Sequence, residues 1–298
     1  MAARKPARRG SRRSTFNLNA SLRGRDDRAT DQIITRGLGT QRLRLAPVRG
    51  WILTLVMLTA LLVIAQLGPI AQDPAYHRFA DARALAGLPH TLNVLSNLFF
   101  LMVGVAGLTL VFRLRAAQRQ VLWLPYAVLY LGLILTSAGS SWYHLAPDNN
   151  RLVWDRLPMT IVFMSFFASV LAEVVNRRLA QRLLPALLVL GLASVWYWHV
   201  TEQRGAGDLR FYVLVQFLPM LLIPLLLVLY PAPRQYLPWV LTMLGVYAGS
   251  KVFEYFDAEM LALGGVASGH TLKHVLAAAS PACLLPMLWR RTHKQGSN

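Results

Sequence analysis

Acidic residues and cysteines are scarce in this sequence. Asp and Glu number 13 against 31 Lys and Arg, and charged residues make up 15% of the chain while hydrophobic residues make up 55%. So low a share of charge is unusual for a soluble domain, whose surface is rich in charged side chains of both signs. The single cysteine, Cys283, can form no intrachain disulfide and no multi-thiolate zinc site. Its simplest interpretation is a small buried residue.

Long apolar runs recur along the chain, and each can cross about 30 Å of hydrocarbon as a helix. They predict an all-α fold, a polytopic transmembrane helix bundle. The eight predicted spans are 51–71, 94–112, 121–143, 152–173, 183–199, 211–230, 236–256 and 269–289.

The formal net charge of +18 is concentrated at the N-terminus, where residues 1–50 hold 13 of the basic residues. This segment has no apolar periodicity and is predicted to be a disordered cytoplasmic tail. Its expected partners are anionic lipid head groups. Nucleic acid is not expected, since no aromatic residue beyond Phe16 is interleaved with the arginines.

Loop charges predict the orientation of the bundle. Basic residues occupy alternate loops, and acidic residues occupy the opposite ones, which places both termini in the cytoplasm. The basic loops carry Arg113, Arg115, Arg119, Arg177, Arg178, Arg182, Arg234, Arg290, Arg291 and Lys294. The opposite loops carry Asp73, Asp81, Asp148, Glu202, Asp208, Asp257 and Glu259.

Ionisable side chains gather near the predicted outer ends of the spans, and an ionisable group inside a membrane is a functional hypothesis by default. Ser140 and His144 lie four residues apart at the end of the third span and share one helical face. Asp155 opens the fourth span, with Pro158 in its first turn. Both features have an ordinary alternative. His144 would be an interfacial histidine beside Trp142, and Asp155 would be a carboxylate that caps a helix.

A second charged group lies on the seventh span, where Lys251, Glu254 and Asp257 follow one another at three-residue steps. These side chains form a mutually neutralising ladder, or they hold a metal-binding histidine in one tautomer.

Two further histidines, His270 and His274, lie one helical turn apart at the start of the last span. That spacing lets two imidazoles reach one metal ion, although an isolated HxxxH pair is weak evidence. His144 is predicted at the same depth. Three imidazoles and one open position are the ligand set of a catalytic zinc site. The remaining histidines are assigned to no metal.

The stretch GSSWYHLAPDNNRLVWDRLPM, together with SGHTLKH near the C-terminus, resembles the alkaline ceramidase family. That family belongs to a superfamily of seven-helix membrane hydrolases that also includes the adiponectin receptors. Its pattern is a serine four residues before a histidine, an aspartate eleven residues after that histidine, and a late HxxxH. The resemblance covers about residues 90–290, and the matching residues are Ser140, His144, Asp155, His270 and His274.

The resemblance implies a seven-helix ceramidase-like hydrolase core at 94–290. The other predicted segments are an extra N-terminal transmembrane helix at 51–71, an outer loop at 72–93 and a cytoplasmic tail at 291–298. The family's calcium-binding acidic segment is not matched, because PHTL precedes NVLSN and His90 stands where a glutamate is expected. This departure argues against Ca²⁺ and weakens the case for ceramide itself. Candidate calcium ligands are Asp73, Asp81 and Asn93.

The function implied is zinc-dependent cleavage of a ceramide-like N-acyl lipid to a fatty acid and a sphingoid-type amine. His144, His270 and His274 would hold Zn²⁺, Ser140 would stabilise the oxyanion, and Asp155 would be the general base or only orient the water. The membrane lipid substrate is expected to enter laterally, with the site near the extracytoplasmic face. The span at 211–230 lines an acyl-chain cavity or is an ordinary lipid-facing or core helix.

Two other functions stay open on the sequence alone. One is the same zinc chemistry on another lipid amide or ester. The other is a non-catalytic receptor or transporter in which the metal is a structural clamp. A closed clamp takes four protein ligands, so Asp155 as the fourth ligand would favour it.

Overall fold

The computed structural model describes residues 48–117 and 123–293. Nearly all of the predicted basic N-terminal tail, and the end of the C-terminal tail, lie outside these residues. The chain divides into two compact units, Met1–Thr54 and Leu55–Asn298. The helices of the described ranges are α1 (Val48–Gln66), α2 (Thr91–Leu95), α3 (Leu98–Ala117), α4 (Trp123–Leu145), α5 (Asn149–Val174), α6 (Arg177–Gln203), α7 (Arg210–Leu229), α8 (Leu237–Tyr255), α9 (Asp257–Gly264), α10 (Gly269–Ala282) and α11 (Leu285–His293).

Seven spans in the described part of the chain are long and apolar enough to cross a membrane, which confirms the all-α, polytopic bundle and makes this a multi-pass membrane protein. They are α1, the α2–α3 pair, α4, α5, α6, α7 and the α10–α11 pair. The seventh of the eight predicted spans, 236–256, forms α8, a helix of 19 residues. It is not among the seven, because Lys251 and Glu254 near its end lower its hydropathy. Seven of the eight predicted spans therefore meet this description of length and hydropathy, and the eighth helix, α8, packs along α10 within the bundle.

The core is built by α4 lying between α3 and α5, with α6 packed along α5 and α8 along α10. Small residues let the helices approach closely, as is common for helices in membranes. At the α3–α4 crossing, a Cβ on Gly107 would overlap the ring of Tyr130, which is fully buried. This crossing fixes the axis of α4, the helix that carries Ser140 and His144.

Two helices that carry site residues begin at side-chain caps. Asp148 accepts a hydrogen bond from Arg151 N at 2.7 Å and caps α5, and Ser268 accepts one from Thr271 N at 3.3 Å and caps α10. The prediction that Asp155 opens the fourth span is therefore wrong, because the helix starts one turn and a half earlier. Asp155 lies in the second turn and Pro158 is internal to the helix.

The segment between α1 and α2 is fastened to the connection that precedes α10. Ala80 N donates to Asp257 Oδ2 at 2.9 Å. Arg83 Nη1 donates to Gly265 O at 2.9 Å, and its Nη2 donates to Val266 O at 2.5 Å. The sequence predicted this segment as an outer loop, and the contacts bring it to the start of the helix that carries His270 and His274.

Candidate metal centre and active site

Three histidines from two distant parts of the chain converge at one point. His144 lies in the last turn of α4, and His270 and His274 lie on one face of α10. All three are at least 96% buried. Their candidate ligand atoms lie within 4.8 Å of one another, and His144 Nε2 is 3.3 Å from His270 Nε2. The structure therefore brings together the three residues that the sequence predicted as metal ligands.

The spacing of His144 Nε2 and His270 Nε2 fits two ligands of a tetrahedral metal ion. Zinc–nitrogen bonds of about 2.0–2.1 Å at tetrahedral angles place two ligand atoms about 3.3–3.4 Å apart. The separation of the two Nε2 atoms, 3.3 Å, agrees with this value. Within residues 48–117 and 123–293, no carboxylate or thiol joins the cluster. Three neutral imidazoles are thus the whole protein ligand set that the described residues supply.

Ser96 orients one of the three rings. Its hydroxyl lies 2.8 Å from His274 Nδ1 and donates to Asn93 O at 3.0 Å. Because that proton is used, the oxygen is placed to accept the Nδ1–H, which leaves the lone pair of His274 on Nε2. Partners of this kind fix the tautomer of a metal-binding histidine. Sequence reasoning missed Ser96, although a buried serine among the polar residues that open an apolar span was an available signal.

An aromatic side chain from the segment between α1 and α2 covers the cluster. The Phe79 ring lies with its centroid 4.6 Å from that of His144 and 4.4 Å from that of His270. The same segment is held by His77, whose two ring nitrogens lie 2.9 Å from Tyr143 Oη and 2.9 Å from Asn149 Oδ1. Phe79 excludes water from that side, and nothing in its sequence context had marked it.

Asp257 acts on the backbone of the site rather than on a histidine ring. Its Oδ1 accepts from His270 N at 2.7 Å, and its Oδ2 accepts from Ala80 N. The carboxylate therefore joins the covering segment to the first turn of α10. The sequence left two functions open for Asp257: a member of a charge ladder, or a residue that positions a metal-binding histidine. The observed contacts are closer to positioning, although Asp257 binds the backbone of His270 and not a ring nitrogen.

Lys251 and Glu254 form an ion pair that extends to a third residue. Lys251 Nζ is 2.6 Å from Glu254 Oε2, and Lys273 Nζ is 3.0 Å from Glu254 Oε1. No hydrogen bond or ion pair joins these charges to the three histidine rings in the described part of the chain. This arrangement matches the predicted ladder, although its third member is Lys273 on α10 in place of Asp257.

Ser140 and Asp155 face each other across the α4–α5 crossing. Both are buried, and both line a cavity to which His274 also contributes. The two helices come so close here that a Cβ on Gly139 would overlap the backbone carbonyl of Trp154. The predicted catalytic pair is thus brought together, and a glycine beside the serine makes the approach possible.

Replacement of Gly139 by alanine tests this close approach. We expect the added methyl to push α4 and α5 apart and to lower the free energy of unfolding by about 1–3 kcal/mol. If Ser140 and Asp155 separate by roughly 1 Å, the rate of the catalysed reaction should fall about a hundredfold. Thermal unfolding in detergent and turnover would be measured. Gly245→Ala on α8 is the matched control, since no atom lies within 4 Å of the added Cβ there. Equal behaviour of both variants would contradict the packing argument.

The cavity beside the histidines is large and apolar. Its empty volume is about 880 Å³ when the open solvent at its mouth is included, and Ser140, Asp155 and His274 are among its polar lining residues. Most of its wall is hydrophobic, and α7 contributes Pro219, Met220 and Ile223. One face of α7 therefore lines a cavity, which was one of the two functions considered for the span at 211–230.

The three candidate calcium ligands are engaged by protein groups. Asp81 takes a two-pronged hydrogen bond from Arg83, at 2.8 Å from Nε and 2.7 Å from Nη2, and this contact lowers the pKa of the Asp81 carboxyl. Asn93 Oδ1 accepts from Thr271 at 2.7 Å. Asp73 caps a short 3₁₀ turn at Pro74–His77. The calcium site stays a prediction, and the observed contacts give it no support.

Comparison with known proteins returns one family. A family model described as Ceramidase matches residues 89–296, which is more than half of the chain and includes all five predicted site residues. A search of curated proteins found no match.

Proposed function

We propose, because the chain belongs to the ceramidase family, that it is a zinc-dependent membrane amidohydrolase that cleaves a ceramide-like N-acyl lipid to a fatty acid and a sphingoid-type amine. Membership of this family supports a ceramide-hydrolysing membrane enzyme. The observation that carries the finer proposal is the position of the three histidines. Their candidate ligand atoms lie within 4.8 Å of one another, with one pair at 3.3 Å, and the site lies at the wall of an apolar cavity.

His144, His270 and His274 would hold the metal ion, which when bound supplies Lewis-acid activation of water and of a carbonyl group. Three neutral ligands leave the full charge of the ion available for this purpose. The ligand set of imidazoles suits zinc, and a catalytic zinc site keeps one position for water or substrate.

Asp155 and Ser140 would perform the proton transfer and the charge stabilisation. The Asp155 carboxylate is placed to take a proton from the attacking water and then to give it to the amide nitrogen as the carbon–nitrogen bond breaks. The Ser140 hydroxyl would donate a hydrogen bond to the negative charge that develops on the amide oxygen. Both residues line the cavity beside His274, so the amide must lie at that end.

The cavity suits the hydrocarbon part of such a lipid. Its mainly hydrophobic wall would accept an acyl chain, and burial of each methylene contributes about 0.8 kcal/mol. A substrate of this kind resides in the bilayer, so lateral entry between helices remains our proposal for its route.

The same geometry bears on the two other functions that the sequence left open. A structural clamp would need a fourth protein ligand, and the described residues place only three together. Another lipid amide or ester would fit the same apolar cavity, so the choice between these substrates is left to measurement.

The orientation is part of the proposal. Site residues lie at one end of the bundle, since His144 is in the last turn of α4, Asp155 in the second turn of α5 and His270 in the first turn of α10. The arginines of the α5–α6 connection, Arg177 and Arg178, lie at the opposite end of α5. With basic loops inside, the site would lie near the extracytoplasmic face and both termini in the cytoplasm.

Turnover by the detergent-solubilised protein tests the function. We expect release of fatty acid from ceramide, complete loss of the reaction after a zinc chelator, and its return when zinc is added. A panel of N-acyl lipids and matched esters identifies the preferred bond. Failure to release fatty acid from any of these lipids, or an equal rate after chelation, would contradict the proposal.

A further inference from the structure

A second, polar pocket shares a wall with the apolar cavity. Its empty volume is about 560 Å³ when open solvent is included, and it has Asp155, Met159, Gln216, Lys251 and Lys273 in common with the apolar cavity. Its own lining is Tyr76, Arg156, Leu209, Tyr212, Val213 and Glu254. We call this space the polar chamber. The proposed general base, Asp155, therefore lies where an apolar space and a polar space meet.

Arg156 is the unusual residue of the chamber. It is 95% buried, and its guanidinium carbon lies 4.3 Å from the ring centroid of Trp198 and 4.9 Å from that of Tyr212. Nη2 donates to Gln72 Oε1 at 2.6 Å, whereas Nη1 is buried and has no hydrogen-bond partner among the described residues. Aromatic rings thus lie against the guanidinium and leave an edge of it with unused donors.

A buried donor without a partner is costly, by about 1–3 kcal/mol for a neutral group and more for a charged one. A guanidinium also stays cationic in proteins, so Arg156 cannot avoid the cost by losing a proton. Packing alone would be served by an apolar side chain of similar size. The retained cation with free donors therefore points to a ligand that supplies acceptor oxygens.

The charges of the chamber agree with an anionic ligand. Its lining holds the cations Arg156, Lys251 and Lys273 against the carboxylates Asp155 and Glu254, an excess of one positive charge. The two lysines already share Glu254. Arg156 is the cation of the set that has a nitrogen, Nη1, without a hydrogen-bond partner among the described residues, and a guanidinium edge matches phosphate or carboxylate oxygens in a two-pronged contact.

We infer that the polar chamber binds an anionic group carried by the amine half of the substrate, such as a phosphate ester on the head of a ceramide-like lipid. The inference rests on the proposed function, because that function places the amide at Asp155. With the acyl chain in the apolar cavity and the amide beside Ser140 and Asp155, the amine half extends into the chamber. Its anionic oxygens then meet the edge of Arg156.

A matched pair of lipids tests this inference: N-palmitoyl sphingosine and its 1-phosphate ester, which share the acyl chain, the amide and the base. We expect kcat/KM of the wild type to favour the phosphate ester. Arg156→Gln should lower that preference by about 10- to 100-fold, as the loss of a charged hydrogen bond does. Arg156→Lys, which keeps the positive charge but cannot make the two-pronged contact, should give an intermediate preference for the phosphate ester. Arg151→Gln, on the same helix and stacked on Trp142 outside the chamber, is the matched control and should keep the wild-type preference.

Binding to the zinc-stripped protein separates this inference from the proposed function. Thermal stabilisation by the phosphate ester should exceed that by the parent ceramide in the wild type, and the difference should vanish in Arg156→Gln. This result without turnover of either lipid would refute the amidase and keep the chamber. The chamber inference is overturned if the wild type shows no preference in either measurement, if Arg156→Gln affects both lipids equally, or if inorganic phosphate competes as strongly as the ester.

Discussion

The double variant His270→Ala/His274→Ala is expected to contain no metal and to lose at least about a thousandfold in hydrolytic rate. The reason is that both imidazoles come from one face of α10, and their removal leaves His144 alone, which cannot hold a divalent ion against water. Metal activation contributes several kcal/mol to such a reaction, and each 1.36 kcal/mol is a factor of about ten in rate. Among the described residues no carboxylate or thiol joins the three rings in the cluster, so none stands ready to replace them.

Metal analysis of the purified protein is the measurement, with about one zinc per chain expected in the wild type. His199→Ala is the matched control, because His199 lies on α6, pairs with Gln203 at 3.0 Å and belongs to no metal cluster. The wild type should also unfold at a lower temperature after chelation, since a ligand that binds only the folded state stabilises it. Full metal content in the double variant, or none in wild type purified without chelators, would remove the metal centre.

Local spacing made the metal centre predictable from the sequence. The HxxxH pair on α10 and the Ser140–His144 pair on α4 are contacts within one helix, so their shared faces follow from the helical repeat alone. The depth at which His144 would meet the other pair followed from the alternation of basic and acidic loops. The spans were predictable for a similar reason, because apolar length in a membrane protein reports directly on the helix.

Contacts between distant segments could not be predicted in this way. Ser96 reaches His274 from the connection between α2 and α3, and Phe79 covers His144 because the segment between α1 and α2 folds over the ends of α4 and α10. No periodicity in the sequence predicts the path of that segment. Asp257 illustrates the same limit: its three-residue step from Glu254 suggested a shared helical face, but α8 ends at Tyr255 and Asp257 begins α9.

Arg156, unlike its neighbour Asp155, was not predicted as a site residue. It follows Asp155 directly, and adjacent residues point in different directions on a helix. The carboxylate lines both the apolar cavity and the polar chamber, while the guanidinium lines the chamber only. The start of α5, misplaced by the sequence, decides this division, since it sets both residues one turn inside the helix where each side chain is buried.

Asp155→Asn is the second variant with a large expected effect, a fall in kcat of about 10²–10⁴, the usual contribution of a general acid–base group. The amide keeps the size of the side chain and can still donate to or accept from Ser140, so the α4–α5 crossing should survive. What is lost is the ability to take a proton from water and pass it to the amide nitrogen. Ser140→Ala should cost about 10²–10³, the effect of removing one donor to a developing oxyanion.

The zinc content of the Asp155→Asn variant decides how its loss of turnover is interpreted. If Asp155→Asn keeps one zinc per chain while its turnover collapses, the carboxylate acts on protons and the fourth position is open, as a hydrolase requires. Loss of zinc in the same variant would make Asp155 a fourth ligand and would favour the structural clamp over the enzyme. Asp148→Asn is the matched control: the same substitution in the residue that caps the same helix, where asparagine caps as well as aspartate. Its turnover and its metal content should equal those of the wild type, because Asp148 is exposed at the start of α5 and lines neither space.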